Sequence, residues 1–372
     1  MNQWLILSSL TLSSGTGIRL KGIAKGLARH GHGVWLVGAG ERDHCTVGVS
    51  YVQVGGSPHP LVTALKLFLT NLSAVIRIRP EYCIASKPLP HTVVPALLSR
   101  WLGAVTLLDF DDLESGYWRR RIWWPLFRLL ERVSPRLFHF TCVHTEELAQ
   151  EVTNRSGLHP NRVLRLNQGV DVALFSPRET EEAPAKPVIL YAAHLGVAAA
   201  GLHFILSGFR KVAEKGPDTI LLVIGGGPLL PLFKKEAERL HLNGKVVFGG
   251  QMKHELMPEV MGLARAAVNY TPPENTASRY RASVKVREYL NMGLPVATNI
   301  VGSDLEPFSP FLEVFEAGNT ESFARAVEQA LARGWSENAQ RELKNNWAWE
   351  VVVGKFLNQL EEQGIRTLQA IS

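Results

Sequence analysis

Residues 176–228 read SPRETEEAPAKPVILYAAHLGVAAAGLHFILSGFRKVAEKGPDTILLVIGGGP. The opening twelve residues are polar, charged and proline-bearing, a composition that buries little and suits a linker. A β-rich run follows, VILYAAH, then a helical stretch opening at Gly201, then a second β-rich run, TILLVIGGGP. Strand, helix and strand in that order predict a parallel sheet covered by helices. The apolar length from Pro187 to Gly208 approaches that of a bilayer span. His194, Gly196, Gly201 and His203 interrupt it, so it divides into two shorter elements.

The same grammar runs on both sides of the linker. Upstream, WLILSSL precedes a glycine turn at Ser14–Gly17, a helix over Ile18 to His30, and GVWLVGAG. YCIAS, a helix around Thr92 to Leu102, AVTLLDFDD, FHFTCVHT, a helix from Glu146, and RVLRLNQGVD follow. Downstream come a helix to Leu240, KVVFGGQ, a helix around Glu255, AAVNYTP and PVATNI. The expectation is α/β: two doubly wound, Rossmann-like domains, residues 1–175 and 176–351, facing a central cleft. Ligands of such domains sit at the carboxyl ends of the strands. No short repeat or low-complexity segment appears.

At 372 residues the chain is too long for one ordinary core and suits two. Hydrophobic residues make up 46% and charged residues 20%, which excludes a disordered chain. A net charge of +6 permits an anionic ligand or a membrane surface without requiring either. Cys45, Cys83 and Cys142 are too widely spaced for a disulfide framework or a zinc pattern, as expected in a reducing compartment. The start, MNQWLILSSLTL, lacks a basic leader and reads as a first strand.

Several constellations carry possible chemistry. Gly15, Thr16 and Gly17 follow a strand and open a helix, which suits a phosphate or a close-approaching sugar and equally suits a plain tight turn. GGGP at 225–228 follows a strand without the lysine and hydroxyl residue of a P-loop, which argues against a nucleotide triphosphatase. LLDFDDLESGYW sets Asp109, Asp111, Asp112 and Glu114 at a strand end, where carboxylates hold sugar hydroxyls or move a proton; Asp112 would serve equally as a helix cap. No histidine cluster supports a metal there. In RYRASVKVREYLNMGLPVAT (279–298), Arg279, Arg281, Lys285 and Arg287 surround a single carboxylate, Glu288. A helix starting near Ser283 would offer its N–H groups and these cations to a diphosphate, with Glu288 accepting ribose hydroxyls. An ion-paired surface helix reads the same residues without a ligand.

Trp118 and the pair Trp123 and Trp124 flank a run of Arg119, Arg120 and Arg121. Tandem tryptophans cannot both face inward on a helix, which favours contact with a membrane surface over a core helix with a basic face. Single-stranded nucleic acid is disfavoured because no recognition fold accompanies the mixture.

The sequence resembles the retaining GT-B glycosyltransferases of the large group 1 family. RLNQGVDVALFSP is similar to that family's domain-junction motif, and SVKVREYLNMGLPVAT to its SPxKxxEYLAxGxPVVAT. NWAWEVVVGKFLNQLEE resembles the closing helix that crosses back onto the first domain, here about 352–372. The resemblance implies sugar transfer from a nucleoside-diphosphate donor with retained configuration, no metal and no cofactor. Together with the Trp/Arg segment it leads to the expectation of a glycan or lipid-linked acceptor, and of a cytoplasmic protein peripheral to the inner face of the membrane. It assigns Glu288 to the ribose, Ser283 and Lys285 to the diphosphate, where the charge pattern adds Arg281, and the backbone of Gly250, Gln251 and Met252 to the base. It matches Gly15 to Gly17 to the loop near the donor phosphates and gives Asp111 the place of a histidine common after the fourth strand. The usual GRLxxxKG arginine and lysine are here His194 and Ala200, and the first glutamate of the E-x7-E pattern is Tyr280. These departures raise a further reading, a catalytically degenerate scaffold of the same fold; a sugar-nucleotide epimerase on this architecture ranks last, because only the Asp111 group and His194 offer acid/base chemistry.

Overall fold

The computed structural model describes residues 1–40, 47–57, 59–117, 122–177, 186–196, 201–273, 280–299 and 302–365. The chain divides into two compact units. Unit 1 comprises Met1–Gly169, Tyr280–Ala282 and Trp347–Ser372, and unit 2 comprises Val170–Arg279 and Ser283–Asn346.

Unit 1 begins with β1 (Gln3–Thr11), α1 (Gly15–Arg29), β2 (Gly33–Ala39), β3 (Val49–Val54) and α2 (Pro60–Ile78). It continues with β4 (Tyr82–Ser86), α3 (Pro90–Trp101), β5 (Val105–Asp109), α4 (Glu114–Tyr117) and α5 (Trp124–Leu137). β6 (Phe140–Val143), α6 (Glu146–Ser156) and β7 (Val163–Arg165) complete the run. The sheet order is β3-β2-β1-β4-β5-β6-β7, with every pairing parallel. Strand order therefore reverses between β1 and β4, the place where open α/β sheets leave a crevice.

Unit 2 begins with β8 (Val188–Ala192), α7 (Gly201–Lys215), β9 (Ile220–Ile224), α8 (Leu230–Arg239), β10 (Val246–Gly250) and α9 (Met257–Gly262). β11 (Ala266–Asn269), α10 (Val284–Asn291), β12 (Val296–Thr298), β13 (Leu312–Val314), α11 (Thr320–Arg333) and α12 (Glu337–Asn346) follow. The order β10-β9-β8-β11-β12-β13 reverses between β8 and β11. After unit 2 the chain returns to unit 1 as α13 (Trp349–Glu362).

Both units are the parallel, doubly wound α/β structures that the alternation predicts. Three local readings change. The glycine turn is the Ser14 cap and first turn of α1, because the Ser14 side chain accepts the Gly17 N–H. The stretch around Glu255 is a short 3-10 turn, His254–Leu256, ahead of α9. Residues 170–175 go with unit 2, ahead of the polar stretch, because the Val172 and Phe175 carbonyls accept the Asn291 amide. β3 and α2 have no counterpart among the runs read from the sequence.

α2 is long and apolar enough to cross a bilayer by length and composition. It is nevertheless a layer of unit 1: Leu67, Asn71, Ala74 and Val75 are buried, and Asn71 donates to the His91 carbonyl. Cys83 and Cys142 are buried free thiols.

α13 covers the opposite face of the unit 1 sheet from α2 and α3, and it comes closest to α1 at two glycines. A Cβ on Gly22 would lie 2.0 Å from Cε2 of Trp349, one on Gly26 2.5 Å from Cγ2 of Val353, and one on Gly169 2.6 Å from the Trp349 ring. Helix glycine normally costs about 1 kcal/mol relative to alanine, and here it admits an indole. Gly22→Ala is therefore expected to destabilise by ~1–3 kcal/mol through overpacking. Gly15→Ala, beside open space, should be neutral or stabilising; urea unfolding of the two variants measures the difference in sign.

Candidate functional site

In unit 2 the site is built around the start of α10. Ser283 caps the helix and accepts the Val286 N–H, while its own N–H donates to Asp304 Oδ2 at 2.8 Å. The helix is anchored on the last residue of β8. The Tyr289 hydroxyl accepts the Ala192 N–H at 3.2 Å, and the Lys285 ammonium donates to the Ala192 carbonyl at 2.7 Å. α10 thus begins beside the β8/β11 reversal, with its unpaired N–H groups and positive end there.

The basic run divides its labour. Arg287 is 1% exposed and grips both oxygens of Asp304, Nη1 to Oδ2 at 3.0 Å and Nη2 to Oδ1 at 2.6 Å. It also donates to the Ser283 carbonyl and lies 5.0 Å from the Phe308 ring centroid. This guanidinium is structural, so it does not replace a missing diphosphate cation. Arg281 belongs to unit 1, 3.5 Å from Asp112, rather than to the helix start. Arg279 lies outside the described residues. Glu288, 4% exposed, receives a hydrogen bond on Oε1 from His254 Nε2 at 2.6 Å, so its partner is not one of the cations flanking it in sequence.

The loops after β8, β9 and β10 are stitched together by their backbones. Leu195 N–H donates to the Gly226 carbonyl at 2.9 Å, and Gly225 N–H to the Gly250 carbonyl at 2.7 Å. A Cβ on Gly225 would stand 1.7 Å from the Ala193 carbonyl oxygen and one on Gly227 2.1 Å from that of Leu195. The glycines of GGGP are thus required by this close approach. His194 is exposed, with its ring over Gly196; Gly250 has φ +74°, followed by exposed Gln251 and half-buried Met252. Ala200 lies outside the described residues.

Unit 1 holds a second polar centre, at its own β1/β4 reversal. Thr16 donates its hydroxyl to Asp111 Oδ2 at 2.9 Å, so this side chain is committed to Asp111, as Gly17's N–H is to Ser14. Lys87 follows β4 in a left-handed conformation, φ 64°, unusual for a side-chain-bearing residue. Its buried ammonium lies 3.6 Å from Asp111 Oδ1 and pairs with Glu114. Burial works to raise the Asp111 pKa, but Lys87, His144, Arg19 and the Thr16 hydroxyl outweigh it and hold the group below the usual carboxylate range. Burial likewise opposes the Lys87 charge, and Asp111, Glu114 and Asp112 overcome it and raise its pKa. Asp111 is therefore an acceptor at neutral pH, suited to a hydroxyl. Asp109, the last residue of β5, is fully buried and held by Arg19 at 2.8 Å. His144 Nε2 and Thr145 Oγ1 both meet the Tyr280 carbonyl at 3.0 Å.

Among the described residues no group of histidine, cysteine and carboxylate side chains could hold a metal ion. Trp118, Arg119, Arg120 and Arg121 lie outside the described residues. Trp123 is 56% exposed and Trp124 half-buried, with Arg128 5.1 Å from its ring centroid.

Two doubly wound parallel sheets, with polar centres at their strand reversals, define the GT-B class of architecture. Residues 175–348 match the family model "Glycosyl transferases group 1". The chain is 23% identical over 260 residues to alpha-D-kanosaminyltransferase of Streptomyces kanamyceticus, spanning 64% of this chain and 64% of that protein's length. Sucrose-phosphate synthase of Thermosynechococcus elongatus superposes with a TM-score of 0.76 at 14% identity, covering 98% of this chain and 99% of that one. Anabaena HepE, solved with UDP and glucose, gives 0.72 at 13% identity, with 97% and 100% covered. These likenesses show the GT-B fold, and the chain spans about two thirds of the kanosaminyltransferase's length.

Lys87, His254, Tyr289 and Asp304 had no role in the sequence reading. Lys87, His254 and Asp304 are lone polar residues at a strand end or turn, Tyr289 lies within α10, and the partner of each is distant in sequence. Arg287→Met is expected to cost ~3–5 kcal/mol by leaving Asp304 buried without a counter-charge, read as a lowered denaturant midpoint. Arg281→Met, at an exposed position, should cost less than ~1 kcal/mol.

Proposed function

We propose that this protein transfers a sugar from a nucleoside diphosphate to an acceptor hydroxyl with retention of configuration. The observation that carries the reading is the pairing of Glu288 with the capped start of α10 at the β8/β11 reversal, inside the segment matched by the group 1 model. In this reading Glu288 accepts ribose hydroxyls, and the backbone from Gly250 to Met252 meets the base. Ser283, Lys285 and the N–H groups of α10 face the diphosphate. Negative charge grows on that diphosphate as the sugar leaves, and donors already aimed at it lower the barrier without reorganising. Ionised Asp111 receives the acceptor hydroxyl. No metal or further cofactor is part of the scheme.

A second reading, a GT-B scaffold without turnover, draws on His194 and Ala200 standing where the resemblance expects cations and on Arg287 being closed by Asp304. Calorimetry with UDP, GDP and ADP, followed by a transfer assay with a panel of donors, separates them. The enzyme should bind at least one nucleotide, with Lys285→Glu and Glu288→Ala each weakening it by ~10–100-fold, the worth of a charge-assisted bond. Binding without transfer supports the scaffold, and affinity unchanged in both variants refutes the site.

The proposed acceptor is lipid-linked, taken from the inner face of an envelope membrane. Leu61, Leu65, Leu69 and Ile76 on α2, and Trp123, Leu126, Leu129 and Val133 on α5, are exposed. Arg128, Arg132 and Arg136 on α5 are exposed among them, and α2 carries no acidic residue. An apolar face interleaved with arginine suits anionic lipid. Co-sedimentation should be strong with phosphatidylglycerol vesicles and weak with phosphatidylcholine, and Leu65→Glu with Leu129→Glu should abolish it.

A further inference from the structure

Helix α10 carries two contrasting uses of a carboxylate. Asp304 is closed: both of its oxygens are held by the guanidinium of Arg287, and Oδ2 also receives the Ser283 N–H. Glu288, one residue beyond that arginine, is met on one oxygen alone. His254 Nε2 occupies Oε1 at 2.6 Å, and among the described residues no other side chain meets the carboxylate. A cation with a two-pronged fork would have filled both oxygens. An imidazole takes one and leaves the other to accept from a ligand.

The histidine is itself held. It begins the 3-10 turn that follows the Gly250–Met252 backbone, so its position is tied to the end of β10. Its ring lies 5.1 Å from that of Phe175, tilted by 55°. Phe175 is fully buried, and its carbonyl accepts the Asn291 amide from the last turn of α10 at 2.6 Å. The His254 side chain is 18% exposed and that of Glu288 6%. The contacts thus form a closed circuit: Phe175 to His254, His254 to Glu288, and α10 back to Phe175.

We propose that His254 is a positioning residue for pentose recognition: it pins Oε1 of Glu288 and aims Oε2 at the vicinal hydroxyls of the donor's ribose. This rests on the nucleotide-binding reading of Glu288 given above and adds to it the group that sets the carboxylate's orientation. It follows that His254 bears on the nucleoside and not on the diphosphate, which faces Ser283 and Lys285. A glutamine at 254 carries an Nε2–H donor at similar reach, so it should keep the bond that alanine removes.

The test is calorimetry of wild type, His254→Ala and His254→Gln with UDP, GDP and ADP, and with inorganic pyrophosphate as the ribose-free probe. If wild type binds none of the nucleotides, the functional reading itself fails. If it binds one, His254→Ala is expected to weaken that nucleotide roughly tenfold, the equivalent of one hydrogen bond. Pyrophosphate affinity should stay within about twofold, and His254→Gln should recover most of the loss. Nucleotide affinity unchanged in His254→Ala overturns the inference while leaving the site intact. An equal loss for nucleotide and pyrophosphate, or no recovery with glutamine, overturns it too, because either result marks general damage to the loop. Thermal melts of the three proteins identify a variant that has not folded, and in that case His254→Gln against wild type carries the comparison.

Discussion

The ion pair between Arg287 and Asp304 governs the geometry of unit 2. Two opposite charges lie out of water, and each is tolerable only because the other is present. The pair does more than neutralise itself. Asp304 takes the Ser283 N–H and Arg287 takes the Ser283 carbonyl, so both backbone groups of the cap residue are bound to it. Where α10 begins, and hence where its positive end points, is settled by that salt bridge. Lys285 and Tyr289 then tie the helix to Ala192 at the end of β8, and Glu288 is presented one turn in.

The two units use reversal of strand order in the same way and fill it with different chemistry. In unit 2 the reversal holds a helix end, backbone N–H groups and one partly open carboxylate. In unit 1 it holds a mixed cluster: Lys87 between Asp111 and Glu114, with Thr16 on the far oxygen of Asp111. The first arrangement suits a dispersed anion beside a sugar, and the second suits a neutral hydroxyl that needs an acceptor. The two units thus differ in the balance of charge at their strand reversals.

Alternation of strands and helices made the architecture readable from the sequence, because parallel sheets demand continuous apolar runs separated by amphipathic ones. The start of α10 was also readable: a serine before VKVREYL is a recognisable cap. The pairing inside the site was not. Arg287 and Glu288 are adjacent in the chain, yet they face Asp304 and His254, which lie 17 positions downstream and 34 upstream. Residues one apart on a helix diverge by about 100°, so adjacency in a charged run says little about who pairs with whom. Gly17, Gly225 and Gly227 each follow a strand, and each is required by a neighbouring stretch of backbone that no local pattern announces. α2 escaped notice because its apolar residues are spread around the helix, which blurs the one-sided pattern that marks a layer helix.

The return of α13 to unit 1 has a bearing on how the molecule is made. The indole of Trp349 fills the space over Gly22 and Gly169, and Val353, Phe356 and Leu360 are fully buried beside it. During synthesis, the strands of the first sheet leave the ribosome long before that helix exists. At about 5–20 residues per second the interval is roughly ten to forty seconds. For that time the part of the sheet and of α1 that α13 covers is bare, an apolar surface of the kind that chaperones guard and aggregation exploits. The second unit must be translated in full before the first can be closed.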